Sequence, residues 1–435
     1  MRQTTRRDVL KGVAASSTVG LAGLAGCTGG GGGGTETTNS GGTTQGTTMG
    51  KAGGGGPTSF TVGVFSAFSG PFADWGPAHK LGATIAAEDV QKDHDVQVTI
   101  KQYDTETDPS AALDRMKRAV TADGIDFAFG GISSAVCSSM GTWASDNGVV
   151  YVADGSSGTL TGKDCKPYMF RTYSSNPMMS NGVAPKMADL ADSWYLLYAD
   201  YVWGQNAQSI IGSLLKKEGA AVVGSDATPW PPTSNDYTQY LNNVANSDAT
   251  GLALVEPGGL PAGMMKQARN MGILGDYKVM VHQAEDPTFW GVGKWAAEAV
   301  DVAPVGWNNA VPGGEAFKKE VASRGNLDPF VRHVTAYEGM DSLLRASIRA
   351  GSKDAADVRG ALEGYEITNS RINDLEDGKV YWRACDHQLV KPTYIISGKA
   401  QADMQDTPYK SWFTIDQTLA GDDVARSCAD TGCSF

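Results

Sequence analysis

The run Y-W-R-A-C-D-H-Q (Tyr381–Gln388) sets a thiol, a carboxylate and an imidazole side by side at Cys385, Asp386 and His387. Such a trio raises nucleophilic catalysis, which needs a base within hydrogen-bond reach of the nucleophile. Adjacent residues on a strand would point to opposite faces, and no oxyanion loop accompanies the run. The sequence also offers no G-x-S-x-G, and no S-x-x-K with a fitting partner. His79, His94, His282, His333 and His387 are scattered, no two of them spaced i, i+4, and no cysteine pair reads C-x-x-C. Metal-ligand spacing is therefore missing. The expectation is a protein without catalytic residues, metal or cofactor.

A second chemistry is binding, and its residues sit in short loops after strand-like runs. These loops read F-S-G-P-F-A-D-W-G (Phe68–Gly76), G-G-I-S-S (Gly130–Ser134) and D-G-S-S-G (Asp154–Gly158). Further on come D-Y-V-W-G (Asp200–Gly204), V-E-P-G-G (Val255–Gly259) and H-Q-A-E-D-P (His282–Pro287). Glycine and hydroxyl residues at a helix start expose backbone N–H groups and the positive end of the helix dipole. Ser133 and Ser134 open a helix in this way. Their hydroxyls and amides suit a carboxylate or other polar head, and equally suit plain N-capping. Trp75 and Trp203 place an indole in the first loop of each half, where core packing is the bland alternative.

The elements that must position these loops alternate. Phe60–Phe65, Val96–Tyr103, Asp126–Phe129 and Val149–Ala153 read as strands, separated by helices over Trp75–Gln91, Asp108–Val120 and Ser134–Asn147. The rhythm restarts with strands at Trp194–Ala199, Ala221–Val223, Gly251–Val255 and Lys278–His282. Helices over Gln205–Gly219, Asp236–Asn246 and Gly263–Met271 lie between them. Strands alternating with helices imply parallel sheets covered by helices. Ligands of such sheets lie beyond the carboxyl ends of the strands. The fold class is α/β: two similar lobes, each a parallel sheet with helices on both faces.

The N-terminus is set aside as a targeting segment. Thr4–Lys11 (T-T-R-R-D-V-L-K) precedes an uncharged stretch, and Leu24–Cys27 (L-A-G-C) follows. This pattern is similar to a twin-arginine export signal ending in a lipobox, with Cys27 as the lipidated residue. The apolar stretch is too short to span a membrane, so the chain is expected to be anchored to the outer face of the cell membrane. Residues 28–57 are a Gly/Thr-rich tether reaching roughly 30 Å as a coil, whose threonines are candidate sugar carriers. The formal net charge is −12, and the acids are 35 Asp against 13 Glu. That balance argues against nucleic acid as a partner and reads as a salt-adapted, halophile-like surface. Export permits disulfides, yet the head holds five cysteines: Cys137, Cys165, Cys385, Cys428 and Cys433. An odd number leaves at least one thiol free or paired between chains.

The ordered loops resemble the leucine/isoleucine/valine-binding family of type I periplasmic binding proteins, the receptors of ABC importers. The family's opening S-G-x-x-A-x-x-G-x-x-x-x-x-G matches Ser69, Gly70, Ala73, Gly76 and Gly82. Its acidic turn matches Asp104, Asp108-Pro109 and Ala111-Ala112, and Q-A-R-x-x-G-[IL] matches Gln267–Ile273. The similarity runs from about Ser59 to about Ile396. It implies that Trp75 lies against the ligand, which explains an aromatic turn at the mouth of the first strand. It implies that Ser134 receives a ligand carboxylate, and that Asp154, Gly155 and Ser156, with Ser157 beside them, meet ammonium and carboxylate. Trp203 closes from the second lobe. Where the family has a glutamate for the α-ammonium, this chain has Gln283, with Glu285 two residues on and Glu256 as a third candidate. A branched-chain amino acid therefore stands beside amides, urea-like compounds and aromatic or aliphatic carboxylates.

The resemblance further implies lobes of 58–173 with 308–368 and 174–307 with 369–435, joined by crossings near Arg171–Asn176, Ala303–Trp307 and Glu366–Arg371. Cys137 is expected to bond Cys165, and Cys385 to bond Cys428 or Cys433. The expected partners are a small solute, the ABC permease and ATPase subunits, and the membrane through lipid on Cys27, with the protein itself monomeric. A ligand-sensing domain for a separate signalling partner shares the fold, and would ordinarily carry a membrane span, which is not read here. An extracellular hydrolase is the remaining alternative.

Overall fold

The computed structural model describes residues 56–368 and 370–435. The export signal, Cys27 and all but the end of the tether lie outside the described residues. Strands β1 (Ser59–Ser66), β2 (Gln97–Asp104), β3 (Phe127–Gly130), β4 (Tyr151–Ala153) and β5 (Met169–Arg171) form a parallel sheet in the order β2-β1-β3-β4-β5. Helices α1 (Gly76–Asp93), α2 (Pro109–Thr121) and α3 (Ser134–Asp146) connect its first four strands. Helix α4 (Asn176–Leu190) leads to a second parallel sheet of β6 (Ser193–Ala199), β7 (Ala221–Thr228), β8 (Gly251–Val255) and β9 (Lys278–Val281). Its order is β7-β6-β8-β9, and helix α5 (Val202–Glu218) follows β6.

The remaining strands are β10 (Ala303–Val305), β11 (Tyr381–Trp382), β12 (Leu389–Val390), β13 (Thr393–Gly398) and β14 (Phe413–Leu419). An isolated bridge between Met280 and Val302 carries the second sheet on toward β10, which pairs antiparallel with β13, and β13 with β14. Burial follows position in the sheet. β3 and β8 are buried at every residue, as central parallel strands covered on both faces must be, whereas the edge strands β2 and β7 alternate. That alternation is the period-two pattern visible in Val96–Tyr103. The 20-residue helix Val331–Ala350, which the sequence reading missed, packs on α1. At their contact a Cβ on Gly82 would lie 2.1 Å from the carbonyl oxygen of His333, so only glycine fits.

The expected Cys137–Cys165 bond is corrected. Cys165 bonds Cys433, and Cys385 bonds Cys428, with Cα separations of 5.6 and 6.0 Å. Cys137 is the free thiol of the five. It lies on the inner face of α3, where its Sγ and the Tyr151 hydroxyl both donate to the carbonyl of Gly130, at 3.6 and 2.6 Å. Burial pushes its thiol up to about 11. Cys165 instead lies in the turn between β4 and β5, where the tail of the chain reaches it. His387 and Asp386 are also committed to structure. His387 is buried against Phe170 and bonds Glu363 and the carbonyl of Met169, and Asp386 pairs with Arg383.

Candidate ligand-binding site

The first turn of the first helix of each sheet carries the same dipeptide, Trp75-Gly76 after β1 and, two positions further into its helix, Trp203-Gly204 after β6. A Cβ on Gly76 would lie 2.3 Å from the carbonyl of Ala67, and one on Gly204 2.1 Å from that of Ala199. The glycines let each helix start hard against its strand tip. The neighbouring indoles are thereby fixed at the carboxyl ends of the strands, where the two sheets face each other. Trp75, Ser156, Trp203, Glu256 and Gln283 line one cavity there, together with Phe72, Ile132, Tyr201, Pro257, Gly258, Thr288 and Arg332. Its volume is about 20 Å³, room for roughly one water molecule. Loops of the two sheets touch directly here, and a larger solute requires them to open and close again around it, less tightly than in this arrangement.

Direct hydrogen bonds join the two sides. Trp203 Nε1 donates to Ser156 Oγ at 2.7 Å and to Gln283 Oε1 at 3.2 Å, and Ser156 Oγ donates to the same Oε1 at 2.6 Å. Two lining residues, Ile132 and Gln283, hold positive φ angles of 54° and 58°. Such backbone is costly outside glycine and persists where surrounding contacts impose it. Gln283 Nε2 donates to Glu285 Oε1 at 2.9 Å. Of the two alternatives left open by the sequence, the neutral amide of Gln283 lines the cavity and Glu285 lies behind it.

Glu285 is already engaged. Arg332, from the second position of its helix, donates through Nε and Nη2 to the Glu285 carboxylate at 2.7–3.2 Å. Its Nη1 donates to the backbone oxygen of Asp154 at 2.8 Å and to Asp154 Oδ2 at 2.7 Å. The guanidinium also stacks over Trp75 and Tyr173, at 4.9 and 4.4 Å from the ring centroids. Asp154 receives a further bond at 2.6 Å from His79 Nε2. Burial works against the Asp154 carboxylate, but Arg332 and His79 outweigh it and hold the group down at about 2. The two acids raise Arg332 above the ordinary guanidinium range despite its burial. One cation thus clasps an acid from each sheet.

The other expected residues lie near the cavity without lining it. Ser133 is the N-cap of α3 but makes no side-chain cap bond, and Ser134 Oγ accepts from the Ser157 amide at 3.1 Å. Gly155 is packed against Cys137 and Ser134, and the carbonyl of Ser157 receives Arg171. Sequence reading missed Arg332 because the signal lies in F-V-R-H-V, inside an unassigned helix. It missed Phe72 and Tyr201 although both stand within the loops it quoted.

Glu256 differs from Asp154 and Glu285, and shares with Asp286 a buried carboxyl oxygen that has no hydrogen-bond partner among the described residues. Thr228 Oγ1 donates to Glu256 Oε1 at 2.7 Å, and Oε2 is the unpartnered oxygen. Burial drives its carboxyl up to about 8, against the smaller opposing pull of Thr228.

A family model described as periplasmic binding protein matches residues 59–403. The Leu/Ile/Val-binding protein BraC3 of Rhizobium johnstonii is 24% identical over 319 residues, covering 71% of this chain and 84% of its own. An amino acid ABC transporter substrate-binding protein from Pseudomonas fluorescens Pf-5 superposes with a TM-score of 0.77 at 23% identity, over 87% of this chain and 99% of that one. A solute-binding protein of an ABC transporter from Rhodopseudomonas palustris BisB5, in complex with 3,4-dihydroxybenzoic acid, gives 0.73 at 17% identity, over 84% and 98%.

Proposed function

This chain belongs to the periplasmic binding protein family, and we propose that it captures a small polar solute outside the cytoplasm for an ABC importer. The observation that carries the reading is the cavity itself, walled by Trp75 and Ser156 from one sheet and by Trp203, Glu256 and Gln283 from the other. A guest there touches both halves only when they are shut, so binding selects closure. No chemistry is performed. Amino acids and their amide and carboxylate relatives are the first candidates, since amino acids and a hydroxylated benzoic acid are named for the similar proteins.

The lobes of this reading are 58–173 with 308–368 and 174–307 with 369–435, turning about Arg171–Asn176, Ala303–Trp307 and Glu366–Arg371. The closed form, a monomer, docks on a permease with its ATPase, while lipid on Cys27 holds it at the membrane surface. No helix of the described residues is long and apolar enough to cross a membrane.

The test is a thermal-shift screen of the purified protein against a broad library of amino acids, amines, amides, urea and aromatic acids. A ligand raises the unfolding midpoint by mass action. Trp75→Ala and Trp203→Ala are each expected to abolish the shift. Variants that both keep the wild-type shift would place the site elsewhere.

A further inference from the structure

Segment 369–435, counted above with the second half, is divided by its own contacts. Strands β13 and β14 continue the second sheet through β10. The short helix Gly421–Val424 packs on α4, where Asn181 Nδ2 donates to the carbonyl of Val424 at 2.7 Å. The β11–β12 hairpin, in contrast, sits with the first sheet. Gln388 forms a parallel bridge to Arg171 of β5, the Arg171 amide donates to the carbonyl of His387 at 3.0 Å, and Trp382 meets Phe170 edge to face. After Val424 the chain returns to that side. Arg383 Nη1 of the hairpin donates to the carbonyl of Arg426 at 2.7 Å, Cys428 bonds Cys385, and Cys433 bonds Cys165. The ring of Phe435 ends 4.3 Å from that of His387.

The returning segment meets the loop that carries Ser156. Arg426 Nη2 donates to the carbonyl of Gly158 at 2.8 Å. A Cβ on Gly162 would lie 2.8 Å from the carbonyl oxygen of Thr431, so the tail lies directly on the loop. Arg171 holds the same loop, donating to the Ser157 carbonyl at 2.7 Å and to Thr161 Oγ1. The Gly158 amide reaches the other half, donating to Asn206 Oδ1 of α5 at 2.8 Å. The tail itself reads R-S-C-A-D-T-G-C-S-F, with Phe435 its single large apolar residue. So little apolar surface does not offset the entropy of ordering the segment, and the two disulfides hold it.

We propose that residues 425–435 are a strap: a fourth connection between the halves, fastened by Cys385–Cys428 and Cys165–Cys433, that braces the Ser156 loop and restrains the parting of the cleft. The inference rests on the solute-capture reading, which requires the halves to part, and adds a restraint that reading does not contain. Four chain steps separate Val424, held on α4, from Cys428, held on the hairpin, and they reach at most about 14 Å. Opening that would carry these anchors further apart is blocked while the disulfides stand.

The Trp203 indole proton, bonded to Ser156 Oγ across the cleft, reports the parting. Its exchange with solvent is followed by NMR in the unliganded full chain and assigned with Trp203→Phe. Inserting about eight Gly/Ser residues between Ala425 and Arg426 lengthens the span to about twelve steps and keeps both disulfides. Exchange is expected to become about fivefold faster, since the effective concentration across a tether falls roughly as the three-halves power of its length. The same insertion between Asn246 and Ser247, in a loop within the second half, carries a similar entropic cost and is expected to leave the rate unchanged. That separates restraint of the cleft from a general loss of stability. A second variant, with Cys165→Ser, Cys385→Ser, Cys428→Ser and Cys433→Ser together, releases both fastenings at native length and is expected to act in the same direction. The inference is overturned if either strap variant exchanges at the wild-type rate, or if the control insertion speeds exchange equally. These outcomes need no solute. The thermal-shift library decides capture separately, so a protein that binds solute through an unrestrained cleft refutes the strap alone.

Discussion

Replacing Arg332 with Met removes the cation that clasps Asp154 and Glu285 while keeping most of the side-chain volume. Both acids then lose their guanidinium, Asp154 keeping His79 and Glu285 keeping only the neutral donors Tyr173 and Gln283. Taking one member from a buried ion network costs about 3–5 kcal/mol. The depressed Asp154 carboxyl, held at about 2 against an ordinary 3.8, is worth about 2 kcal/mol at about 1.4 kcal/mol per unit, a contribution that Arg332 shares with His79. Unfolding entropy of about 2.1 cal/mol/K per residue, over roughly 380 residues, converts the loss into a fall of about 4–6 °C in the midpoint. The sign with pH follows from the depressed value. A group whose folded value lies below its unfolded one stabilises fully above the latter, and loses that contribution as pH falls through the former. The gap between wild type and Arg332→Met is therefore widest near neutrality and narrows from about 3.8 toward 2. Scanning calorimetry at pH 7, 5 and 3 measures it. Converting the two acids as well, by Asp154→Asn and Glu285→Gln, is expected to recover most of the loss. A fall below about 1 °C at pH 7, or a gap as large at pH 3 as at pH 7, refutes the clasp.

Two further outcomes follow from buried groups. Lys391 is fully buried between Glu338 at 2.7 Å and Glu376 at 2.8 Å, and Tyr394 donates to the latter. Lys391→Met is expected to lower the urea unfolding free energy by about 3–5 kcal/mol, with most of it regained when Glu338→Gln and Glu376→Gln are added. Among the five cysteines of residues 56–435, alkylation without reductant should label Cys137 alone, and only after denaturation. Peptide mapping that finds Cys165 or Cys433 labelled contradicts the described pairing.

The local periodicities were legible because each reports a short-range rule. Val96–Tyr103 alternates since it lies at a sheet edge with one face half wet, and Gly251–Val255 is uniformly apolar since both faces are covered. The Trp-Gly steps at 75–76 and 203–204 identify two walls of the cavity, because strand tip and helix start are adjacent in the chain. Asp108 was readable as an N-cap, and its carboxylate accepts from the Ala111 amide at 2.7 Å.

What tertiary structure alone decided are pairings between distant positions. Nothing near Asp154 in the chain announces Arg332, 178 residues away, yet that contact consumes the charge of Glu285, while Glu256 and Asp286 each keep one buried carboxyl oxygen without a partner among the described residues. Gln283 stands in the cavity lining while Glu285 is committed to Arg332, a difference on which spacing is silent. Cys165 found Cys433 across 268 residues because the tail returns to that turn, while Cys137 faced inward. The sequence determined what each segment is, since hydrophobic period and turn chemistry act over a few residues. Which charges cancel and which remain for a guest depends on how whole segments pack, and that is fixed only when the two sheets meet.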